Sequence, residues 1–410
     1  MPRKPALNFI FFTLLLDVLG FGLLIPVAPR LIEKLQGEDA AAASTTYGLL
    51  IATYAAMQFV FAPILGSLSD RFGRRPVILI SLLGSAIDYF AMALAPTVAI
   101  LFLTRAINGI SGANITACSA YVADVTPPEK RAAGFGLIGA AFGLGFVIGP
   151  LLGGVLGRID IHLPFYVAGV LTLINWIYGY FVLPESLPAD RRRPFRLGRA
   201  NPIGTFRDLR RYPLVLRLGG AMFLLNLAQF GLHATWVLYT AHRYGWDELQ
   251  TGLSLTVVGL GAALVQGVLA RKIIPRLGEP RSLVLGISVG VAAYVAYGLA
   301  TQGWMIYASV LLASLGGIAG PAANAIITKS VLPTEQGEVQ GALTSLQSIA
   351  NILGPVLGST TFAYFISDRA PIYLPGASMF VSAIVAAVGL GVAASALSRR
   401  TTFSPASPGP

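Results

Sequence analysis

The chain has a single cysteine, Cys118, and only three histidines among its 410 residues. One cysteine excludes an intramolecular disulfide and any metal site built from several cysteines. Charged residues are also scarce, at 11% of the chain, whereas soluble globular proteins have about 25%. No Gly-x-x-x-x-Gly-Lys-Ser/Thr phosphate loop is present, so ATP is not the expected energy source. The low content of charged residues argues against an ordinary soluble globular protein.

Apolar sequence is abundant instead: 55% of the residues are hydrophobic, and the mean hydropathy is +0.71. The apolar runs cover residues 7–29, 46–66, 76–95, 97–119, 132–157, 163–183, 213–236, 249–270, 281–300, 303–325, 339–365 and 374–397. A membrane-spanning helix needs about 20 apolar residues. The sequence therefore predicts an all-α integral membrane protein with twelve transmembrane helices, the first of them a retained span rather than a cleaved signal peptide.

The distribution of Lys and Arg predicts how these spans are oriented. The basic residues concentrate near the N-terminus and in every second connection, and few fall on the opposite side; those few are Arg30, Lys34, Arg158, Arg243 and Arg369. Basic residues are retained on the cytoplasmic side of a membrane. We therefore predict that both termini are cytoplasmic. The net charge of +11 then faces the lipid surface, and no nucleic-acid partner is expected.

A weak internal repeat predicts two related halves. At an offset of 205 residues, Arg71-Phe72-Gly73 aligns with Arg276-Leu277-Gly278, and Gly149-Pro150 aligns with Gly354-Pro355. Parallel repeats of this kind build two six-helix bundles related by a pseudo-twofold axis, with a substrate cavity between them. The predicted bundles are residues 1–185 and 213–398. A basic cytoplasmic linker, 186–212, joins them, and residues 399–410 form a disordered cytoplasmic tail.

A charged motif separates the second and third apolar runs. It consists of Gly66, Asp70, Arg71, Gly73, Arg74 and Arg75. Charges cannot enter hydrocarbon, and glycine allows a sharp turn, so we interpret the motif as a tight cytoplasmic loop. Gly66 is expected to allow close helix packing. A loop that only sets topology is the simpler alternative. The spacing closely resembles the signature between helices two and three of the major facilitator superfamily.

A glycine-rich stretch in the fifth run forms the second motif. Its members are Gly145, Gly149, Pro150, Gly153 and Gly154. Glycines allow close helix packing and proline frees a carbonyl group, which together predict a helix that kinks and rocks. A merely close-packed helix is the alternative. The stretch resembles the Gly-x-x-x-Gly-Pro-x-x-Gly-Gly element of the drug/proton antiporter branch of that superfamily.

Asp17, Asp88 and Arg105 fall inside predicted spans and have apolar residues on both sides. Charges within a membrane are costly, so they face the bundle interior or a wet cavity and pair with each other. A salt bridge that only locks helices together is one interpretation. The other is a proton-coupling site, because two carboxylates and one guanidinium leave one carboxylate able to exchange a proton.

Uncharged polar and aromatic residues inside the spans predict a substrate cavity. The candidates are Gln58, Asn108, Asn114, Asn226, Gln229, Phe230, His233 and Trp236. Any single amide of this kind is more often an interhelical hydrogen bond than a ligand contact. His233 could relay protons or could be a satisfied buried histidine. Trp236 could contact a flat ligand or anchor the helix at the membrane interface.

Longer stretches, including Leu16-Asp17-Val18-Leu19-Gly20 and Ile87-Asp88-Tyr89, resemble the tetracycline/proton antiporters of bacterial inner membranes. The resemblance implies a multi-pass inner-membrane exporter, driven by the proton gradient, whose family substrate is a tetracycline chelated to a divalent cation. It assigns proton coupling to Asp17, Asp88 and Arg105, and cytoplasmic gating to Asp70 and Arg71. No cofactor, no catalytic or metal-binding residue and no obligate protein partner is expected.

The chain departs from that family at two positions in its C-terminal half. Gly290 replaces an acidic residue of helix nine, and Ala262 replaces a histidine of helix eight. Either Asp17 and Asp88 carry all the coupling, or the chain exports a different small molecule, or the coupling is weak. An uncoupled facilitator or importer on the same fold is a further alternative. A membrane-embedded enzyme is disfavoured, because no nucleophile-base pair lies within the spans.

Overall fold

The computed structural model describes residues 7–37, 40–127, 130–192, 211–332 and 335–398, and the regular elements in these ranges are all helices. The first part of the chain forms α1 (Leu7–Leu24), α2 (Ala28–Gln36), α3 (Ala40–Phe72), α4 (Arg74–Ala93), α5 (Val98–Ser111), α6 (Ile115–Val125), α7 (Arg131–Ile159) and α8 (Leu163–Val182). The second part forms α9 (Pro213–Tyr244), α10 (Glu248–Leu264), α11 (Ala270–Leu277), α12 (Glu279–Leu299), α13 (Gly303–Gly316), α14 (Ala319–Lys329), α15 (Gln336–Ile366) and α16 (Ala377–Ser398).

Twelve spans in the described residues are long and apolar enough to cross a membrane, which confirms the predicted fold class. Several helices continue past the apolar runs. For example, α3 covers Ala40–Phe72 where the apolar run covers 46–66, and α9 continues to Tyr244. Apolar runs mark the hydrocarbon thickness, but the backbone hydrogen bonds of a helix continue into the polar region beyond it.

Three of the spans consist of two consecutive helices. A 3₁₀ turn at Gly112–Asn114 joins α5 to α6, and a π-helical segment at Val265–Leu269 joins α10 to α11. The third break separates α13 from α14 near Gly317. Interruptions of this kind place polar side chains and free carbonyl groups inside a span, and they are frequent at functional sites.

The structure divides into two compact units. The first contains the described residues within Met1–Pro202 and Trp236–Gly259, and the second contains those within Ile203–Thr235 and Leu260–Pro410. Helices α9 and α10 are therefore each shared between the units. The bundle limits 1–185 and 213–398 remain predictions. Most of the predicted linker, 186–212, and all of the predicted tail, 399–410, lie outside the described residues.

Each unit has its own apolar core. In the first unit, Phe9, Ile78, Leu82, Tyr121 and Leu183 are buried together. In the second unit, the corresponding cluster includes Leu218, Ile287, Ile326, Val339 and Ala393. The two cores pack together α1, α4 and α6 in the first unit and α9, α12 and α14 in the second. Asp17, Asp88, Gln229 and Tyr294 lie on these helices.

Candidate functional site

Two ionisable side chains lie deep in the first unit, Asp88 on α4 and Arg105 on α5. The Asp88 side chain is fully buried and that of Arg105 is 7% exposed. The closest atoms of the pair, Asp88 Oδ2 and Arg105 Nη2, are 3.9 Å apart, which is longer than a hydrogen bond. Arg105 also contacts the sulfur of Met92, and its guanidinium lies 5.8 Å from the ring centre of Tyr54. The two charges therefore attract each other without a close, saturated contact.

The third charge, Asp17, is held by a different partner. Its Oδ2 accepts a hydrogen bond of 3.1 Å from Nδ2 of Asn114. Asn114 is buried and ends the 3₁₀ turn that interrupts the fourth span, so this break in the helix aims the amide at α1. The structure thus pairs Asp88 with Arg105 and gives Asp17 an uncharged donor. Asn114, predicted as a cavity residue, therefore contacts Asp17, which was predicted as a coupling residue.

Gly73 forms a turn of one residue between α3 and α4. Its φ is 104° and its ψ is 158°, a backbone conformation that is essentially restricted to glycine. The carboxylate of Glu185 closes the turn: Oε1 accepts from the Arg74 backbone nitrogen at 2.8 Å, and Oε2 accepts from that of Arg75 at 3.3 Å. Glu185 therefore satisfies backbone N–H groups that the first turn of α4 leaves unpaired.

The side chain of Arg74 lies at the centre of a charge cluster beside this turn. It is 2.5 Å from Asp70 Oδ1, 2.6 Å from Ser69 Oγ and 3.2 Å from Asp124 Oδ2. Asp124 also accepts a hydrogen bond from Ser186. The cluster connects α3, α4, α6 and the segment after α8. Of the other arginines in the motif, Arg75 donates to a backbone oxygen of α8, and the Arg71 guanidinium lies over the ring of Phe72.

Two details of this motif differ from the sequence analysis. The expected loop is mostly helical, because α3 continues to Phe72 and only Gly73 is outside a helix. Gly66 is not at a close helix contact either, since a Cβ there would be 3.9 Å from its nearest neighbour, Thr116 Oγ1. Sequence reasoning also missed Glu185 and Asp124 as partners of the motif. Both residues are acidic and follow an apolar run, Glu185 by two residues and Asp124 by five, and this was their signal in the sequence.

The glycines of α7 form two contact surfaces. Gly145, Gly149 and Gly153 repeat every four residues and face α1, where a Cβ on Gly149 would lie 2.9 Å from the Cα of Gly22. Gly154 faces α10 instead, and a Cβ there would lie 2.5 Å from the backbone oxygen of Glu248. Pro150 is within α7, and its carbonyl group faces Gly252 of α10. The predicted close packing is therefore present on two sides of one helix.

The opposite end of the first unit, which we call the Arg30 end, carries two ion pairs. Arg30 lies in the first turn of α2. Its Nη1 is 3.0 Å from Glu248 Oε1, and its Nη2 donates to the Trp246 backbone oxygen at 2.7 Å. Arg158, in the last turn of α7, is 3.7 Å from Asp247. These contacts hold the α9–α10 connection against α2 and α7.

The predicted substrate-cavity residues are divided between the two units. In the first, Gln58 donates to Tyr54 Oη and to the Gly112 backbone oxygen, each at 3.3 Å. Asn108 is buried on the helix that carries Arg105. Trp236 is only 2% exposed, and its indole nitrogen donates to Ser254 Oγ at 2.9 Å. In the structure Trp236 is thus an interhelical contact.

The remaining candidates belong to the second unit. Asn226 donates to a backbone oxygen of its own helix. Gln229 Nε2 is 2.7 Å from His233 Nε2, and Gln229 Oε1 accepts a 3.0 Å hydrogen bond from the hydroxyl of Tyr294 on α12. The ring of Phe230 lies edge-on to His233 at 6.4 Å. Tyr294 was not among the predicted residues, although it follows Gly290 by one helical turn.

Carboxylates and histidines are not clustered as metal ligands in the described ranges, where no group of three or more His, Cys, Asp or Glu could hold an ion.

Comparison with known proteins adds family relationships to this geometry. The family model of the Major Facilitator Superfamily matches residues 10–355 and 223–405. The tetracycline resistance protein, class C, of Escherichia coli is 41% identical over 363 residues, covering 88% of this chain and 91% of that protein. The human organic anion transporter MFSD10 is a structural match at 26% identity, with a TM-score of 0.68 over 96% of this chain and 100% of that one. A bacterial homologue of the lysosomal transporter Spinster matches in fold, at 18% identity and a TM-score of 0.79, covering 98% of each chain.

Proposed function

The chain belongs to the major facilitator superfamily, and from this premise we propose that it is a proton-coupled antiporter that exports a tetracycline-like drug from the cytoplasm. The observation that supports this proposal most directly is the buried Asp88–Arg105 pair inside the first unit. Relatives named for tetracycline resistance, at 34–41% identity, support the substrate class.

Proton exchange is assigned to Asp88 and Asp17. The 3.9 Å separation of Asp88 from Arg105 leaves the carboxylate able to take a proton without first breaking a tight hydrogen-bonded pair. The hydrogen-bond partner of Asp17 is the neutral amide of Asn114. Neither carboxylate is therefore locked in its charged form by a bidentate salt bridge, which is a requirement for a group that gains and loses a proton in each transport cycle.

Transport by alternating access requires contacts at both ends of the helices to break and re-form. Following the distribution of basic residues, the Gly73 turn is cytoplasmic and the Arg30 end is external. The charge cluster of Asp70, Arg71, Arg74 and Arg75 then gates the cytoplasmic side. The Arg30–Glu248 and Arg158–Asp247 pairs, together with the Gly154 contact, close the external side.

Drug binds from the cytoplasm or the inner leaflet while a carboxylate is deprotonated, and a proton that enters from outside returns the carrier to its inward-open state. The substrate would bring its own divalent cation, so the protein needs no cofactor. The protein moves its substrate without changing it chemically and is not an enzyme. Its environment is the bacterial inner membrane, with both termini in the cytoplasm and no obligate protein partner.

A second candidate, export of a different small molecule, is favoured by one observation. Gly290 and Ala262 stand where the resemblance implies an acidic residue and a histidine, and residues 281–300 contain no carboxylate. Residues 281–300 therefore offer no carboxylate with which to hold a cationic group of the drug.

The deciding experiment uses proteoliposomes that contain the purified protein and an internal pH-sensitive dye. After a pH gradient is imposed, tetracycline and magnesium are added. We expect drug-dependent proton movement that disappears in Asp17→Asn. Folded wild-type protein that moves no protons with tetracycline would contradict the tetracycline proposal, and a screen of other amphipathic compounds in the same vesicles would then test the second candidate.

A further inference from the structure

Gln229 lies at the middle of α9, and its side chain is exposed. An amide exposed to hydrocarbon at this depth would leave its polar atoms without water, which is costly. The face of α9 that carries Gln229 must therefore border an aqueous space or a ligand. His233 follows by four residues and lies on the same face, so the two side chains are neighbours.

The hydrogen bonds of Gln229 occupy half of its capacity. A glutamine amide has two N–H donors and an oxygen with two lone pairs. One donor is directed at His233, and one lone pair accepts from Tyr294. One N–H and one lone pair remain, side by side on an exposed amide. Tyr294 itself is only 7% exposed. It therefore holds the Gln229 side chain in place but is too buried to contact a ligand itself.

Carboxylates are absent from the interior of the second unit's described spans. Among the described residues of the second unit, the acidic residues are Glu279, Glu335, Glu338 and Asp368, and all of them lie at or next to the ends of helices. A paired donor and acceptor with no carboxylate nearby suits a neutral group that offers both, such as a carboxamide, or a keto group beside a hydroxyl. A cationic group would have no carboxylate counter-ion here, and its desolvation would cost free energy without compensation.

Gly290 adds space one helical turn from Tyr294, the residue that donates to this amide. It precedes Tyr294 by one helical turn on the same face of α12, and a Cβ built on it meets no atom within 4 Å. Its backbone is in contact with α13 through Gly316 on another side. The open side of Gly290 is therefore room that the fold does not fill.

We propose that Gln229, positioned by Tyr294 and His233, binds a neutral, oxygen-rich edge of the transported molecule, and that Gly290 leaves space for a bulky substituent next to that edge. This inference rests on the proposed export function and deepens it. It assigns recognition of neutral oxygen groups to the second unit, apart from the proton-exchanging carboxylates of the first. Gln229 is the ligand-contacting residue, and Tyr294 is a positioning residue.

The test is direct binding of tetracycline with magnesium to purified protein in detergent, without a pH gradient. We expect Gln229→Leu to weaken binding about tenfold, as for loss of a donor and an acceptor hydrogen bond. Tyr294→Phe, which removes only the hydroxyl, should weaken binding about threefold and raise KM in vesicles while kcat stays constant. Gln302→Leu, the same change at an exposed position outside the spans, is the matched control and should bind as the wild type does.

The space beside Gly290 is tested with a tetracycline that carries a bulky ring substituent. Gly290→Leu should lose binding of this compound and keep binding of unsubstituted tetracycline. Gly391 of α16 has equally open surroundings, so Gly391→Leu is the control and should bind both compounds. Wild-type protein that binds no tetracycline would refute the proposed substrate, and the same panel of variants would then be run with the compound the vesicle screen identifies. If Gln229→Leu binds tetracycline as tightly as the wild type does and has an unchanged melting temperature, the inference itself is overturned.

Discussion

The two units use the same turn but surround it with different chemistry. Gly278 follows Gly73 by 205 residues, and both have a positive φ, 77° and 104°, between two helices. At Gly73 the carboxylate of Glu185 fills the space beside the turn, whereas at Gly278 a Cβ would meet only Pro280 at 4.0 Å. The repeat has therefore kept the backbone geometry, which only glycine allows, and has changed the side chains around it.

At one pair of equivalent positions, both units have a salt bridge, but the acidic and basic residues are exchanged. Arg74 and Asp124 are 3.2 Å apart in the first unit. At the same offset of 205 residues, Glu279 and Lys329 are 2.5 Å apart in the second. A salt bridge between two helix ends keeps its attraction when both charges are exchanged. The surroundings differ, because Arg74 is 9% exposed and touches two carboxylates, while Lys329 is 62% exposed.

The same contrast holds inside the spans. The first unit contains Asp17, Asp88 and Arg105, and the second presents Gln229, His233 and Tyr294. Under the proposed function, the first copy exchanges protons and the second hydrogen-bonds neutral groups. Packing is less free to diverge: Gly354 and Gly358 of α15 pack on α9 as Gly149 and Gly153 of α7 pack on α1.

The largest effect should come from removing the charge that distinguishes the first unit. Asp88→Asn keeps the shape of the side chain but cannot exchange a proton, so we expect gradient-driven export to fall to the level of empty vesicles. Melting temperature in detergent checks that the protein is folded. Export at even a tenth of the wild-type rate would show that Asp88 is not the coupling residue.

The paired turns offer a matched measurement of stability. Gly73→Ala places a non-glycine residue in a strained conformation and also drives a Cβ into Glu185, so we expect a loss of about 2–3 kcal/mol. Gly278→Ala carries the backbone strain alone, and the expected loss is about 1–2 kcal/mol. Unfolding by denaturant in detergent compares the two variants. Equal losses would mean that Glu185 moves aside without cost.

The smallest effect concerns the reversed ion pairs. Arg74→Gln leaves Asp70 and Asp124 without their common partner, and we expect it to cost about 1–2 kcal/mol. Glu279→Gln breaks a largely exposed pair and should cost less than about 0.5 kcal/mol. The same unfolding assay, repeated at high salt, should reduce the second loss more than the first. The opposite ranking would show that the second unit depends on its pair.

The sequence predicted the twelve spans well, because an apolar run of about 20 residues has few alternatives to a membrane helix. It also predicted Gly73 as a turn and the α7 glycines as packing surfaces. It did not predict that Gly66 to Phe72 is helical, since charged residues mark the edge of the hydrocarbon and not the end of a helix. Glu185 and Tyr294 were missed because their partners are more than 60 residues away in the chain.

The sequence by itself determined which residues are apolar, which charges lie inside spans and where glycine is needed, because these depend on solvation and backbone sterics that are local to the chain. Only the tertiary structure decided that Asp88 faces Arg105 while Asp17 faces Asn114. It likewise decided that Glu185 closes the Gly73 turn and that Gln229 keeps a donor and an acceptor available. Such pairings depend on the rotation and register of packed helices, which no single run of residues specifies.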